Sequence, residues 1–449
     1  MKMSKRIIAL IVIIIISIFI IFEYISPAAS PIKAGKDVGF FVATDTHYLA
    51  ESLMDGGQAF QKFVNDGDGK ELNYIHEIMD AFANDIKKQQ PDVLIISGDL
   101  TSNGEKESHL KLAKRLKEIE KSGTSVYVIP GNHDILNPYA RGFKGTNQYK
   151  AKYINDTDFS DIYGNYGYKE AVSRDKTTLS YLAAPSEDVW LLMLDTAQYK
   201  NNIALGHPQL DGRIAPGTID WIKQCSDLAK SEGAQLIAVM HHNLLNHSET
   251  ITEGFTINNS EEVIRLFQQS GIQLALSGHI HLQDIKSYKA EEGSIYDAAT
   301  ACISVYPQKY GVLKYSPNTG IEYDTASVDV DGWSKEAGII DNNLNNFRER
   351  SRKAYGDRIY SRIVSRLAIT DMYSSKELML MGDTYRALYL RYYEGEDEIG
   401  TEEIKGSQGY KLWLSAEEAP SRRNVLRLAD INGEDNNKLH IPSGKTTKK

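Results

Sequence analysis

Short apolar segments alternate with longer amphipathic segments between residues 38 and 330. The apolar segments are rich in branched side chains and are followed by polar residues, as is typical of buried β-strands, and they lie at residues 38–44, 93–97, 125–129, 190–194, 236–240 and 274–277. The amphipathic segments have helical length and spacing and lie at residues 72–89, 105–121, 218–230 and 260–269. This alternation predicts a layered α/β or α+β domain.

The pattern changes toward the carboxyl end of the chain. Three closely spaced apolar segments predict closing antiparallel hairpins, at residues 295–298, 311–315 and 321–328. Helical segments separated by Gly, Asp and Ser follow, at residues 334–354, 358–366 and 374–393. We therefore expect an α/β domain over residues 34–330, a separate helical domain over 331–431 and a frayed polar tail over 432–449.

The amino-terminal residues 1–30 have the pattern of a targeting segment. Lys2, Lys5 and Arg6 precede an unbroken apolar run at residues 7–22. As a helix this run would be about 24 Å long, between the length of a signal-peptide core and the ~30 Å of a hydrocarbon layer. A cleaved signal peptide and a retained membrane anchor both stay open. Either one places the rest of the chain outside the cytoplasmic membrane.

The amino-acid composition argues against several classes of protein. Hydrophobic residues make up 41% and charged residues 25%, which argues against disorder and against a multi-span membrane protein. The net charge of −9 disfavours a nucleic-acid polymer as partner. Two cysteines, Cys225 and Cys302, are too few for a disulfide scaffold or a thiolate zinc site. Any bound metal must therefore use other ligands.

Five of the predicted strands are followed immediately by residues that are able to bind metal ions. They form the blocks Asp-Thr-His at 45–47, Gly-Asp-Leu-Thr at 98–101, Gly-Asn-His-Asp at 131–134, His-His-Asn at 241–243 and Gly-His-Ile-His at 278–281. Loops beyond the carboxyl ends of strands commonly carry functional sites, so we expect these side chains to meet at one sheet edge. Oxygen and imidazole donors suit Zn, Mn or Fe, and their number favours two ions over one.

In order and spacing, these blocks resemble the signature of the calcineurin-like metallophosphoesterase superfamily. Within it, block 98–101 followed by Asn103, Gly104 and Glu105 is similar to the class III cyclic-nucleotide phosphodiesterases, including exported bacterial members that carry an added helical domain. The resemblance implies an α/β/β/α sandwich of two mixed sheets flanked by helices. It also implies two divalent ions, Mn, Fe or Zn, and a metal-bridging hydroxide as nucleophile.

The resemblance further implies a role for each residue of the blocks. Asp45, His47 and His281 would hold one metal, Asn132, His241 and His279 the other, and Asp99 would bridge them. His133, beside Asn132, would stabilise the transition state or protonate the leaving oxygen. We choose His241 over His242 as ligand because it directly follows the strand, and strand alternation turns His242 to the other face. His242, Tyr48 and Tyr139 are candidate substrate contacts.

Two long insertions are candidates for the walls of the site. Residues 48–70 are expected to fold over it as a substrate loop, and the Asn-, Asp- and Gly-rich run 65–71 indicates a flexible insert rather than a calcium loop. The tyrosines of residues 138–168 could stack on a nucleobase or pack as a loop cap. His76 and His109 lie within helical patterns and are expected at the surface.

The expected function is hydrolysis of a small phosphodiester, with cyclic nucleotides as the first choice. A broad phosphomonoesterase, or a phosphodiesterase acting on phospholipid or cell wall, is an alternative that export favours. A surface-binding protein with a vestigial site and a working helical domain is the alternative from another class. The complete set of expected ligands argues against it. The partner of the helical domain stays open.

Overall fold

The structure is a computed structural model that describes residues 30–249, 253–289, 293–395, 401–430 and 435–443. Apart from Ser30, the predicted targeting segment at residues 1–30 lies outside the described residues. Within the described ranges, no helix is both long enough and apolar enough to cross a membrane.

Strands and helices alternate through the first three quarters of the chain, and helices dominate the last quarter. The strands are β1 Val38–Ala43, β2 Val93–Ser97, β3 Ser125–Ile129, β4 Arg141–Lys144, β5 Asn147–Lys150, β6 Ser173–Arg174, β7 Tyr181–Ala183, β8 Val189–Leu194, β9 Gln235–Met240, β10 Leu274–Ser277, β11 Asp284–Tyr288, β12 Ile295–Ala299, β13 Lys309–Ser316, β14 Gly320–Ser327 and β15 Leu439–Pro442. The helices are α1 Gln58–Asp66, α2 Ile75–Gln89, α3 Lys106–Glu120, α4 Asp156–Ile162, α5 Asn202–Leu205, α6 Pro216–Glu232, α7 Ser260–Ser270, α8 Val330–Glu336, α9 Asn342–Asn345, α10 Phe347–Ala368, α11 Ser375–Glu394, α12 Thr401–Gly406, α13 Gln408–Ser415 and α14 Pro420–Asp430.

The first large sheet has the strand order β15-β14-β13-β1-β2-β3. Strands β1, β2 and β3 are parallel, whereas β13, β14 and β15 join antiparallel. Ala43 pairs with Ile96, and Ser97 pairs with Ile129. The polar blocks that follow these three strands therefore leave the sheet at the same edge.

The second large sheet has the strand order β11-β12-β10-β9-β8-β7-β6. Its central strands β8, β9, β10 and β12 are parallel, and the outer strands are antiparallel. Val239 pairs with Leu276, near the carboxyl ends of β9 and β10. Blocks 241–243 and 278–281 consequently leave this sheet side by side.

Side-chain alternation along β9 separates the layers of the domain. Ile237 and Val239 belong to the core shared with the first sheet. Ala238 and Met240 belong to a second cluster with helices α6 and α7, where Phe267 is fully buried. The fold is thus mixed α/β, with two mixed sheets and flanking helices, and the predicted fold class is confirmed.

The sequence predicted helices at 334–354 and 358–366. In the structure, α8, α9 and the start of α10 divide the first range, and α10 then continues without a break through the second. The glycine that suggested a break, Gly356, lies in the helix interior and faces α11. A β-carbon there would lie 3.1 Å from Arg386 and 3.2 Å from Leu390. Gly356 therefore allows a close helix contact rather than ending a helix.

Three expectations about the strands need correction. The tail was predicted to be frayed over residues 432–449, but Leu439–Pro442 forms β15, and Ile441 is buried opposite Ile321. Backbone pairing and one buried side chain outweigh the polar composition of this segment. Strand β12, predicted within an antiparallel hairpin, pairs parallel with β10 and antiparallel with β11. The intervening strand β11 was not predicted, because only its first residues are buried.

The helices of residues 330–395 and 401–430 lie in the range predicted as a separate helical domain, 331–431, and they pack on the end of the second sheet. Their own core contains Met381, Leu388 and Trp413, and the same cluster includes Ile280 and Leu282. These two residues lie in the segment that joins β10 to β11. The packing of the helices therefore reaches the last of the five polar blocks.

A buried histidine joins the segments behind the polar blocks. The ring of His247 lies with Nδ1 2.7 Å from Asp284 Oδ2 and with Nε2 3.0 Å from Asp297 Oδ2. Burial by itself disfavours the charged ring, but the two carboxylates outweigh burial and raise the pKa of His247 to about 9. The charged form therefore stabilises the folded protein.

We predict that this stabilisation is present below about pH 6.5, the pKa of histidine in an unfolded chain, and is lost as the pH rises through about 9. At pH 6, the free energy of unfolding of His247→Asn should be lower than that of wild type by on the order of 3 kcal/mol. The difference should shrink at pH 10. Denaturant titrations at both pH values test this, with the exposed His207→Asn as control. If the difference in unfolding free energy stayed constant with pH, the conclusion that His247 is charged in the folded protein would be wrong.

Candidate metal centre

Tight turns carry the donor residues directly after the strands. Five of these residues have backbone conformations in the left-handed region, with φ angles of 54° at Asp45, 42° at His47, 48° at Asp99, 68° at His279 and 59° at His281. Such angles are uncommon for residues other than glycine and concentrate at functional sites. The strained turns direct these side chains to one location at the sheet edge.

The first donor group consists of Asp45, His47 and His281. His281 Nε2 lies 3.2 Å from His47 Nε2 and 3.2 Å from Asp45 Oδ1, and Asp45 Oδ1 lies 3.7 Å from His47 Nε2. Atoms that share a cation through bonds of about 2.0–2.2 Å lie at such separations from one another. Cys302 Sγ is close enough to join the His47 and His281 nitrogens, but it lies 3.1 Å from the Asp45 carbonyl oxygen.

One carboxylate oxygen of this group lacks a hydrogen bond within the described part of the chain, which indicates that a cation fits among the three donors. Asp45 and His47 are fully buried, yet Asp45 Oδ1 has no hydrogen bond of acceptable geometry among the described residues. The other carboxylate oxygen, Oδ2, accepts from the His279 backbone N–H at 3.0 Å. A buried carboxylate oxygen that faces two imidazole nitrogens and lacks a donor is stabilised by a divalent ion.

The second donor group consists of Asp99, Asn132, His241 and His279. His241 Nε2 lies 3.4 Å from Asp99 Oδ1 and 3.1 Å from Asn132 Oδ1, and a ring nitrogen of His279 completes the cluster. His241 Nδ1 lies 2.9 Å from the Ser97 carbonyl oxygen, to which it donates. This hydrogen bond fixes the ring with Nε2 directed toward Asp99 and Asn132, the orientation in which metal-binding histidines are commonly held.

Asp99 connects the two groups. Its Oδ1 faces His241, and its Oδ2 lies 3.7 Å from His47 Nε2. Burial opposes its charge, but His241 and His133 outweigh burial and hold the pKa of Asp99 well below its ordinary value. One ionised carboxylate therefore serves both groups.

His133 lies at the edge of this cluster. Its Nδ1 is 2.7 Å from the Ser102 carbonyl oxygen, and its Nε2 is 3.9 Å from Asp99 Oδ2. The backbone N–H of His133 also donates to Asp99 Oδ1 at 2.9 Å. The side chain is 24% exposed, in contrast to the buried His241. His133 is therefore open to a ligand from solvent.

The structure does not place His242 as a substrate contact. Its ring is buried, with Nδ1 2.7 Å from Thr196 Oγ1 and Nε2 3.0 Å from the Leu210 carbonyl oxygen. Strand alternation does turn it away from His241, but toward protein rather than toward the cavity. Both of its ring nitrogens are occupied.

The two candidate tyrosines lie in different places. Tyr48 is buried, its hydroxyl lies 3.3 Å from Arg115 Nε, and it contacts a cavity distinct from the one beside His133. Tyr139 is 43% exposed and lines a cavity of about 550 Å³ together with His133. Tyr139 therefore keeps the geometry of a substrate contact, whereas the Tyr48 side chain packs against Arg115 of α3.

The other tyrosines of residues 138–168 are of two kinds, those buried in the core and those exposed to solvent. Tyr163, Tyr166 and Tyr168 are buried, and Tyr166 donates to the Ala113 carbonyl oxygen at 2.5 Å. These three pack as part of the core. Tyr149 and Tyr153 are exposed.

The turn that carries Asp99 is supported from behind by Asp134. Its carboxylate accepts from the backbone N–H of Leu100 at 3.0 Å, of Thr101 at 2.9 Å and of Gly131 at 2.9 Å. Burial, together with the nearby Asp99, raises the pKa of Asp134 to about 7. Asp134 thus ties the loops after β2 and β3 together.

Sequence reasoning missed several residues around the site. His109, expected at the surface, is fully buried, and its Nε2 lies 3.0 Å from the Asp134 carbonyl oxygen. His76 is also buried, against the Tyr48 ring. Asp68 and Lys70, from the run interpreted as a flexible insert, line the cavity that contains His133. The position of Lys70 directly after an Asp- and Gly-rich turn was the one available signal.

The layered fold and the buried Asp, Asn and His donors at its strand ends are typical of metal-dependent phosphoesterases. A family model described as calcineurin-like phosphoesterase matches residues 39–283, more than half of the chain. The chain belongs to this family, which confirms the resemblance and makes the protein a metal-dependent phosphoesterase. A second model, described as the C-terminal domain of cyclic nucleotide phosphodiesterase, matches residues 329–430.

Some solved structures are similar to this chain at low sequence identity. A dimetal phosphatase from Danio rerio is 11% identical, with 64% of this chain and 95% of that chain covered and a TM-score of 0.44. GAP50, described as the anchor in the inner membrane complex of Plasmodium, is 12% identical, with 65% of this chain and 85% of that chain covered and a TM-score of 0.34. A comparison with curated proteins found no match.

We predict that Asp99→Asn lowers bound metal at both donor groups and reduces turnover by at least 100-fold, because one shared carboxylate is lost. The fold should survive, since the donors lie at strand ends outside the core. Metal analysis of the purified variant by mass spectrometry, with circular dichroism as the folding control, tests this. Wild-type metal content together with full activity in the variant would contradict the shared role of Asp99.

Proposed function

We propose that the protein hydrolyses cyclic-nucleotide phosphodiesters with two divalent ions, Mn, Fe or Zn, one at each donor group. The observation that carries the ion count is the position of Asp99 between the groups, with one oxygen directed toward each. The choice of substrate is supported by the match of residues 329–430 to the C-terminal domain of cyclic nucleotide phosphodiesterases.

The size and lining of the cavity beside His133 support a cyclic nucleotide as substrate. Its volume is about 550 Å³, within the range of small-molecule sites. Arg141 lies on its wall, with the guanidinium 5.4 Å from the centre of the Tyr139 ring and 5.8 Å from that of Phe63. Aromatic faces and a guanidinium plane are surfaces on which a base can stack.

The residues of this chain would divide the reaction between them. Divalent ions bound there would lower the pKa of water and neutralise the phosphoryl oxygens. His133 carries a hydrogen on Nδ1, which donates to Ser102, so proton exchange with the leaving oxygen takes place at Nε2. Asp99 and Asp45 keep their negative charge and hold the donor groups together.

We predict that cyclic nucleotides are hydrolysed with a higher kcat/KM than simple phosphomonoesters. The reason is that the cavity has room for a base and a ribose beside the reacting group, and stacking contributes on the order of 1–3 kcal/mol per base. A panel of 2′,3′- and 3′,5′-cyclic nucleotides, 4-nitrophenyl phosphate and a phospholipid diester, assayed with defined metals, tests this. Hydrolysis of the lipid diester or the monoester without any cyclic nucleotide would favour the alternative functions.

The His133→Ala variant serves as the mechanistic control in the same panel. If His133 protonates the leaving oxygen, the rate loss should grow as the leaving alcohol becomes more basic. Nitrophenyl esters should then lose the least. Equal losses across all leaving groups would remove His133 as the acid.

We further propose that the catalytic domain lies outside the cytoplasmic membrane. The support is the sequence of Lys2, Lys5 and Arg6 before an apolar run. Protease added to intact, wall-stripped cells should digest the protein, and a cytosolic protein serves as the protected control. Protection equal to that control would contradict export. Mass spectrometry of the mature amino terminus distinguishes a cleaved signal from a retained anchor.

A further inference from the structure

The Lys70 loop, residues 65–71, lies between the metal centre and the helical domain. Lys70 itself is 15% exposed and lines the cavity that contains His133, Tyr139 and Arg141. The loop begins at the end of α1 and returns to the core where the Glu71 N–H donates to the Ser304 carbonyl oxygen at 2.7 Å. A lysine side chain with so little exposure is uncommon, because burying its charge costs free energy unless anions surround it.

The ammonium group of Lys70 has anionic neighbours on one side. Its Nζ lies 3.2 Å from Asp68 Oδ2, which in turn lies 4.0 Å from His281 Nδ1. Burial opposes the charge, but Asp68 and Asp99 outweigh burial and raise the pKa of Lys70. The lysine is therefore cationic at neutral pH and within electrostatic reach of the shared carboxylate.

We propose that Lys70 binds a phosphoryl oxygen of the substrate and that the helical domain holds the loop that presents it. An ammonium group has three donors, and the pair with Asp68 uses one of them. When cations occupy the donor groups, the charge of Asp99 is neutralised. An anionic phosphoryl group between the cations and Lys70 then restores the balance of charge. This proposal rests on phosphoester hydrolysis at the centre and does not require a cyclic nucleotide.

Helix α10 fixes the loop at three points through arginines. Arg350 Nη2 lies 3.0 Å from Glu71 Oε2, in a pair whose side chains are 24% and 14% exposed. Arg358 Nη1 donates to the Asn65 carbonyl oxygen at 3.0 Å, and Arg362 Nη2 donates to the Gly67 carbonyl oxygen at 3.2 Å. Charged donors thus hold both ends of the loop.

An aromatic contact fixes the middle of the loop. Gly69 has a φ angle of 103°, and a β-carbon there would lie 2.8 Å from Tyr355 of α10. Glycine is needed both for this conformation and for the close approach of the ring. The contact with Tyr355 therefore restricts the backbone directly before Lys70.

The test compares Lys70→Met and Lys70→Arg with Lys62→Met. Lys62 lies on α1, is 72% exposed and pairs with Asp66, so its loss removes the same charge near the loop but outside the cavity. The first measurement is binding of inorganic phosphate to metal-loaded protein by calorimetry. We expect Lys70→Met to weaken phosphate binding about tenfold or more, since a hydrogen bond to a charged group is lost. Lys70→Arg should recover part of the affinity, and Lys62→Met should match wild type.

The second measurement is hydrolysis of bis(4-nitrophenyl) phosphate, a diester without base or ribose. The kcat/KM of Lys70→Met should fall together with its phosphate affinity, while bound metal and thermal stability stay at wild-type values. Unchanged phosphate affinity in Lys70→Met would overturn the proposal, as would a loss explained by lower metal content. If cyclic nucleotides are not cleaved but phosphate binding still depends on Lys70, the proposed substrate fails and the role of Lys70 stands.

Support by the helical domain is tested with Arg350→Met, which removes the contact with Glu71. Phosphate affinity should fall in the same direction as in Lys70→Met but less, and Arg350→Lys should restore most of it. Lys353→Met is the matched control, because Lys353 lies on the same helix, is 76% exposed and pairs with Asp357. Wild-type phosphate affinity in a folded Arg350→Met protein would overturn the part assigned to the helical domain.

Discussion

The carboxylate of Asp99 is the constraint on which the site depends, because both donor groups include it. Its two oxygens face His241 on one side and His47 on the other, and they belong to a side chain with 2% exposure. A buried carboxylate between imidazoles is costly without compensating positive charge. Divalent ions bound among these donors would supply that charge, and the surrounding turns hold the donors close together.

Much of the structure around Asp99 keeps its turn from relaxing. Asp134 accepts hydrogen bonds from three backbone N–H groups in the turns after β2 and β3. Its own carbonyl oxygen contacts the ring of His109 in α3. A β-carbon on Gly131 would overlap the Asp99 carboxylate, so only glycine allows the two turns to approach. The left-handed angle of Asp99 is the strain that these contacts maintain.

The sequence predicted the residues that follow strands and failed on those that depend on tertiary packing. Asp45, Asp99 and His279 could be found because parallel strands place their carboxyl ends together, and alternation separated His241 from His242. The burial of His109 could not be predicted from the polar sequence of its helix, because the loop that contacts its ring, at Asp134, lies 25 residues further along the chain. Lys70 was missed for a similar reason. Its run is rich in Asp and Gly, and its order comes from α10, almost three hundred residues away.

The carboxyl-terminal helices contact the surroundings of the metal centre at two places. Ile280 lies between His279 and His281 and belongs to the apolar cluster of the helices, while α10 contacts the Lys70 loop, whose Asp68 lies 4.0 Å from His281. Apolar packing sets the position of the last donor block, and charged contacts set the position of the loop. Because both supports come from one group of packed helices, we expect a shift of α10 to change the donor geometry and the cavity wall together. Such a coupling gives the helices a role in the site even though none of the proposed metal donors comes from them.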